Sequence, residues 1–309
     1  MKHIRIEHQT HYLYQTDVLL AQHLAYLRPV ETPWQKRLSS EVCIEPDVDS
    51  RHEDVDAFGN SRLFFTLTHA HQNLVVTALS EVRKLPRYTF FDPAQTPAWD
   101  MIEAGMKYSL DQPFDPASEF VWPSPYIPWL SELRDYALPS FNRGTPLAQA
   151  CLDLNHRIYE DFSYVSGVTE IHTPLAQAFV NRHGVCQDFS HIMIGCLRAI
   201  GLAARYVSGY LLTTPPPGQP RLRGADASHA WVSVYCPGAP GDWLELDPTN
   251  DTIPDMSHVC LAIGRDFGDV SPLRGIIRGG GAHELRIAVT AEEANECQTP
   301  RPEGRGVQS

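Results

Sequence analysis

Apolar and polar positions alternate with a period of two at the start of the chain. Ile4, Ile6 and His8 fall on one side, Arg5 and Glu7 on the other, and Tyr12 and Tyr14 continue the rhythm. Arg62-Leu63-Phe64-Phe65-Thr66-Leu67 and the run from Asn73 to Leu79 read as further strands. Asp56-Ala57-Phe58-Gly59-Asn60 is a turn signal, because Gly59 and Asn60 tolerate positive φ. Short strands separated by turn residues over 1–85 predict an N-terminal antiparallel β-sandwich.

The rhythm breaks over 86–146, where prolines recur from Pro86 to Pro146 among aromatic residues. Proline fixes φ and removes a donor, so this connecting segment should hold short helices and turns. From 147 the period becomes 3.6. Leu147, Ala150, Cys151, Leu154 and Ile158 share a helix face, and Thr173-Pro174 reads as a cap and first helical residue. Phe189, Ile192, Met193, Cys196, Leu197 and Ile200 form one apolar stripe, with Asp188 in the first turn and Gly201 at the end. Strand patterns follow at 203–212, 230–236 and 243–247, with a closing strand at 284–290. Pro215-Pro216-Pro217-Gly218 reads as a surface loop and 296–309 as a mobile tail. The expected class is α+β, divided into 1–85, 86–146, a catalytic domain at 147–295, and the tail.

Composition narrows the function. Among 309 residues, 43% are apolar and 20% charged, as in a folded globular protein. The net charge of −12, without a basic cluster, argues against nucleic acid and anionic membrane as partners. The N-terminus has no apolar core of signal-peptide length, and no window is long enough to span a membrane. Seven cysteines lie dispersed, without a CxxC pair or zinc spacing. That usage points to a reducing compartment, the cytoplasm.

The chemistry centres on Cys186, which opens the striped helix after Gly184-Val185. A helix N-terminus offers unpaired N–H groups and partial positive charge, both of which suit a thiolate nucleophile. His229 and Asp247 each stand on a strand-like run downstream. On 228–236, Ala230, Val232, Val234 and Cys236 form an apolar face that should be buried, leaving His229 on the other face, which is expected to meet the helix start. Antiparallel pairing through Pro237–Gly241 would bring Asp247 to His229, where a carboxylate fixes the imidazole tautomer. Taken singly, each residue has a bland reading: a buried cysteine, a surface histidine, an aspartate ending a strand. Cys43, Cys151, Cys196, Cys236 and Cys260 receive that structural reading. The joint pattern of helix start, strand face and neighbouring strand favours nucleophilic catalysis.

Gly184-Val185-Cys186-Gln187-Asp188-Phe189, Ala203 to Tyr210, Asp226-Ala227-Ser228-His229-Ala230-Trp231 and Asp247-Pro248-Thr249-Asn250 resemble the motifs of the transglutaminase-like superfamily. They are most similar to its bacterial branch with a transglutaminase-like N-terminal β domain, and Gly264 to Val270 resembles a segment that follows the catalytic strands. The resemblance implies a papain-like core with Cys186 as nucleophile, His229 as base and later acid, and Asp247 as orienting carboxylate. It implies attack on a peptide-type amide through a thioester that water or a second amine resolves. Hydrolysis is preferred over cross-linking, because water needs no second cleft. The Cys186 N–H is the expected oxyanion donor, with the Gln187 amide and Tyr164 as candidates for support. No cofactor is expected: Asp251 and Asp255 are too sparse for the calcium sites of the animal cross-linking enzymes, and His69-Ala70-His71 lacks a third ligand. The resemblance also implies an ATP-grasp-type ligase or a helical protein as a partner. The rival reading is a non-catalytic binding or scaffold protein on the same fold.

Overall fold

Strand β1 (Lys2–Ala25) is the spine of the first domain. In this computed structural model, which describes residues 1–107, 110, 113–165, 173–213 and 228–294, β1 pairs with four other strands. Its first half lies between β5 (His71–Lys84) and β13 (His283–Glu293). Its second half lies between β4 (Ser61–Leu67) and β12 (Leu273–Gly279). Two more strands, β2 (Gln35–Glu45) and β3 (Ser50–Val55), extend the sheet beyond β5 and β4. The period-two pattern explains the register: Ile4, Ile6, His8 and Thr10 are buried while Arg5, Glu7 and Gln9 are exposed. Tyr14, Val18, Ala21, Leu63, Phe65, Leu74 and Val76 share one core, so the two halves pack as leaves of a sandwich joined by a continuous strand.

One boundary differs from the sequence reading. The closing strand, expected within the catalytic domain at 147–295, pairs with β1 instead, as does β12 before it. The alternation of β13 accounts for this: Val289 and Ala291 lie opposite His8 and Ile6 and are buried with Ile4 and Ile6. The Pro215 loop and the tail from 296 lie outside the described residues.

The connecting segment is folded as its prolines dictate. Short 3-10 helices at Pro93–Gln95 and Pro116–Val121 begin with proline and are capped by Asp92 and Asp115. Helices α1 (Trp99–Met106) and α2 (Ser131–Ala137) follow them, and Leu133 and Ala137 of α2 join the core of the second domain.

That second domain continues with α3 (Leu147–Asp161), β6 (Ser163–Tyr164), α4 (Leu175–Asn181), β7 (His183–Gly184) and α5 (Cys186–Ala199). Pro174 flanks α4 rather than opening it, so the start falls one residue later than predicted. A sheet of β8 (Ala204–Leu211), β9 (Ser228–Tyr235), β10 (Trp243–Leu246) and β11 (His258–Gly264) runs in the order β10-β9-β8-β11, and α6 (Phe267–Val270) follows. The stripe of α5 is wholly buried against Ala204, Tyr206, Ala230, Val232, Val234, Leu244 and Leu246. At roughly 25 cal/mol per Å² of apolar surface, this contact is the main source of cohesion in the domain. Gly201 ends the helix at φ +83°, and buried Arg198 fixes that end by donating to the carbonyls of Phe120, Ala204 and Arg265.

The other face of the sheet carries Trp231, packed with Val30, Val207 and Cys260. At the β11 edge, Val259 and Leu261 meet Ile4, Ile6 and Val82 of the first domain. Gln35 stitches the two domains: its amide donates to the carbonyls of Val30 and Cys260, and its oxygen accepts from Cys260 N–H. No helix among the described residues is long and apolar enough to cross a membrane.

Candidate active site

Cys186 is the first residue of α5 and is partly exposed, whereas Cys196, ten positions on, is fully buried. Its N–H heads the helix, where the i→i−4 ladder offers no partner. Asp188 secures this terminus by accepting from Val185 N–H at 2.9 Å. Gly184 makes that possible, since a Cβ there would stand 2.5 Å from the Asp188 carboxylate. Tyr164 pairs with Gly184 across the parallel β6–β7 contact, and Gln187 occupies the second helical position, so both supporting candidates border the start of α5.

His229 lies one residue inside β9; its side chain hydrogen-bonds Asp247, and Cys186 is among the groups that raise its imidazole pKa. The Asp247 contact uses Nε2, at 2.7 Å from Oδ2, so Nδ1 is the ring nitrogen that Asp247 does not engage. The sequence reading had the His229 face meeting the start of the helix, and it named no partner for the body of α5. Instead α5 covers the opposite face, that of Ala230, Val232 and Val234, and Trp231 turns toward the first domain. The ring therefore reaches the thiol past the end of the strand. Antiparallel pairing of β9 with β10 occurs as expected, with Leu246 opposite Val232. Asp247 follows directly, so it approaches His229 on the diagonal.

Asp247 is completely buried and its donors are many. Oδ2 accepts from His229, from His258 Nε2 at 3.1 Å and from Asn250 Nδ2 at 2.7 Å. Oδ1 accepts from the N–H groups of Thr249 at 3.0 Å and Asn250 at 3.3 Å. Burial alone would raise this carboxyl, but the bonds from the two histidines hold it well below the usual carboxylate range. For His229 burial opposes the charged ring, yet hydrogen bonds to Asp247 and Cys186 outweigh it and push the imidazole up to about 10. The arrangement can hold a charged imidazolium against a sulfur and pass a proton between Nδ1 and a reacting group.

His258 and the role of Asn250 were not legible in the sequence. His258 enters from β11, and its ring stands edge-on to Trp231, 5.3 Å between centroids. Asn250 sits in the recognised motif, but nothing local says that its amide would turn back on Asp247. Cys43 also departs from the structural reading, because it points outward from β2 and is exposed.

His229, Asp247 and His258 offer three metal-ligand atoms within 4.8 Å of one another. Neighbouring ligands around a tetrahedral zinc stand roughly 3.3 Å apart. The spacings of 2.7 and 3.1 Å to Asp247 Oδ2 are those of hydrogen bonds, so an ion would have to part these groups. Asp251 is engaged by Asn155 and His156, and Asp255 by Arg87 N–H.

A helix bearing a thiol at its first residue, set against an antiparallel sheet carrying a histidine and an aspartate, defines the papain-like class of fold. Residues 4–83 match the bacterial transglutaminase-like N-terminal region, and residues 136–248 match the transglutaminase-like superfamily core. The uncharacterized protein Rv2569c of Mycobacterium tuberculosis is 41% identical over 280 residues, 88% of this chain and 87% of that one. ML0607 of Mycobacterium leprae is 28% identical over 293 residues, 94% and 98% of the two chains. In fold the chain is similar to the crystal structure of a candidate cysteine protease from Cytophaga hutchinsonii, with a TM-score of 0.73, 20% identity, and 97% and 93% of the two chains covered. The chain belongs to the bacterial transglutaminase-like proteins.

Proposed function

We propose that this protein is a thiol-dependent hydrolase or acyltransferase acting on peptide-type amides, with Cys186, His229 and Asp247 as its catalytic triad. The observation that carries the reading is a partly exposed Cys186 at the head of α5, coupled to a His229 imidazole that a fully buried Asp247 holds by a 2.7 Å hydrogen bond.

In this mechanism the Cys186 sulfur attacks the amide carbonyl while His229 holds the proton. The developing oxyanion is met by the Cys186 N–H at the head of α5, where the helix terminus adds partial positive charge. His229 then passes its proton from Nδ1 to the departing amine, and a thioester remains on Cys186. Water resolves it, deprotonated by the same nitrogen, and a carboxylic acid leaves. A primary amine in place of water would give amine transfer. Asp247 keeps Nε2 protonated and the ring aimed at sulfur throughout.

The test is incubation with a glutamine-containing peptide and a labelled primary amine, following ammonia release, peptide cleavage and label incorporation in parallel. Hydrolysis should dominate. Incorporation outrunning hydrolysis would make the protein an amine-transferring enzyme, and no turnover with intact folding would favour the scaffold reading.

A further inference from the structure

A cavity of about 370 Å³ lies between the first domain and the outer face of the catalytic sheet, away from Cys186. Three cations line it, and they are not equivalent. Arg87 is neutralised: it donates to Glu245 Oε1 at 2.5 Å and to the carbonyls of Pro240 and Trp243. Lys84 and Arg205 have no carboxylate partner among the described residues.

Lys84 ends β5 and is only 9% exposed. Its ammonium makes one long hydrogen bond, 3.4 Å, to Gln35 Oε1, an oxygen already taken by Cys260 N–H. Arg205 comes from β8 and lies flat over the Trp243 ring at 3.7 Å. Its Nε donates to Ser233 Oγ at 3.3 Å, while its two terminal nitrogens make no hydrogen bond with the described residues. The carboxylates facing the cavity are committed elsewhere. Glu245 gives its oxygens to Arg87 and to Trp231 Nε1, Asp255 accepts from Arg87 N–H, and Glu31 pairs with Lys36 at 2.9 Å.

Lys84 is buried and Arg205 half-buried, and a sheltered cation without a hydrogen-bonded counter-ion is costly, so proteins ordinarily pair such groups. Burial lowers the Lys84 ammonium from its ordinary value and Arg205 to about 10, outweighing the opposite pull of Glu245 on both and of Asp255 on Lys84. The planar fork of a guanidinium matches two oxygens of one carboxylate or phosphate group, and an ammonium adds a point charge beside it. The cavity has room for a body behind that group, with Trp34 and Trp243 as aromatic lining.

We propose that this cavity is an anion-binding site that takes the carboxylate or phosphate head of a small molecule between Lys84 and Arg205. Because Lys84 belongs to the first domain and Arg205 to the catalytic sheet, the ligand clamps one to the other.

The test is thermal unfolding of the full chain titrated with inorganic phosphate and, separately, with glutarate, at constant ionic strength set by sodium chloride. Ligand that binds only the folded state raises the midpoint in a saturable way. A saturable rise with phosphate alone, glutarate alone or both is expected, and it identifies the head group. Lys84→Met and Arg205→Met should remove that rise whatever they do to the baseline. Should either variant fail to fold, Arg205→Lys, which keeps the charge and loses the fork, should weaken binding about tenfold by titration calorimetry. Equal rises in wild type and variants, a rise that chloride reproduces, or no binding of either anion would overturn the proposal.

Discussion

Strands β8, β9 and β10 present Ala204, Tyr206, Ala230, Val232, Val234, Leu244 and Leu246 to helix α5, and on the reverse side Arg205, Trp231, Ser233 and Glu245. The first side is held by volume. Its residues are held by close packing, and a missing methylene there leaves a void. The second side is held by named donors and acceptors: Trp231 Nε1 to Glu245, Arg205 to Ser233, and, past the strand ends, the histidines to Asp247. The difference separates where stability comes from and where chemistry comes from, although the two sets alternate residue by residue along the same strands.

The largest expected effect separates them most sharply. Cys186→Ala and His229→Ala should each lower turnover by about 10³-fold or more, with the unfolding midpoint nearly unchanged for Cys186→Ala. Alkylation offers a second readout. Cys186 and the exposed Cys43 should both react with iodoacetamide, but only the Cys186 rate should fall in His229→Ala, as peptide mapping would show. If both rates stay the same, His229 has no chemical consequence for the sulfur and the triad fails.

On the packed side, Leu246→Ala should cost about 2–5 kcal/mol in denaturant unfolding, through lost contact with α5 and the void left behind. A cost far below that would mean the two faces are not as different as their composition.

The pH dependence comes next. The His229 imidazole is pushed up to about 10, against an unfolded value near ~6.5. Its contribution to stability is therefore whole below the unfolded value and is lost as pH rises through about 10. Activity that needs the charged ring should fall on the same alkaline limb, and in Asp247→Asn that limb should move toward neutrality. Asp247 itself lies below its ordinary range, so its share is present above about pH 4 and fades on acidification. A pH–rate profile of wild type beside Asp247→Asn checks both limbs.

The smallest effect is Trp231→Phe. It keeps most of the ring packing and deletes the donor to Glu245, for a loss of about 1 kcal/mol in unfolding and little change in turnover.

Much of this was legible in the sequence, for physical reasons that differ by element. The stripe from Phe189 to Ile200 and the alternation along β9 are local periodicities, and burial follows them directly. The approach of Asp247 to His229 could be inferred because two adjacent antiparallel strands leave few ways to arrange them. The side of the sheet that the body of α5 takes was not legible, since alternation says which residues differ and not which layer covers them. His258 was invisible because β11 does not adjoin β10 in the sheet, and only the folded sheet brings its imidazole to Asp247. Cys43 was misread from the habits of its residue type, although its place between buried Val42 and half-buried Ile44 puts it outward. The return of β12 and β13 to β1 is a pairing between the two ends of the chain, which no window of sequence contains.

That return has a consequence for biosynthesis. While the protein emerges from a ribosome, β1 can find β5 and β4 early, but its remaining edge stays bare until β12 and β13 appear about 250 residues later. A long uncapped row of amide and carbonyl groups invites pairing with neighbouring nascent chains. Cutting the gene after β11 would make that transient hazard permanent, so a fragment ending there should clump even though it contains Cys186, His229 and Asp247.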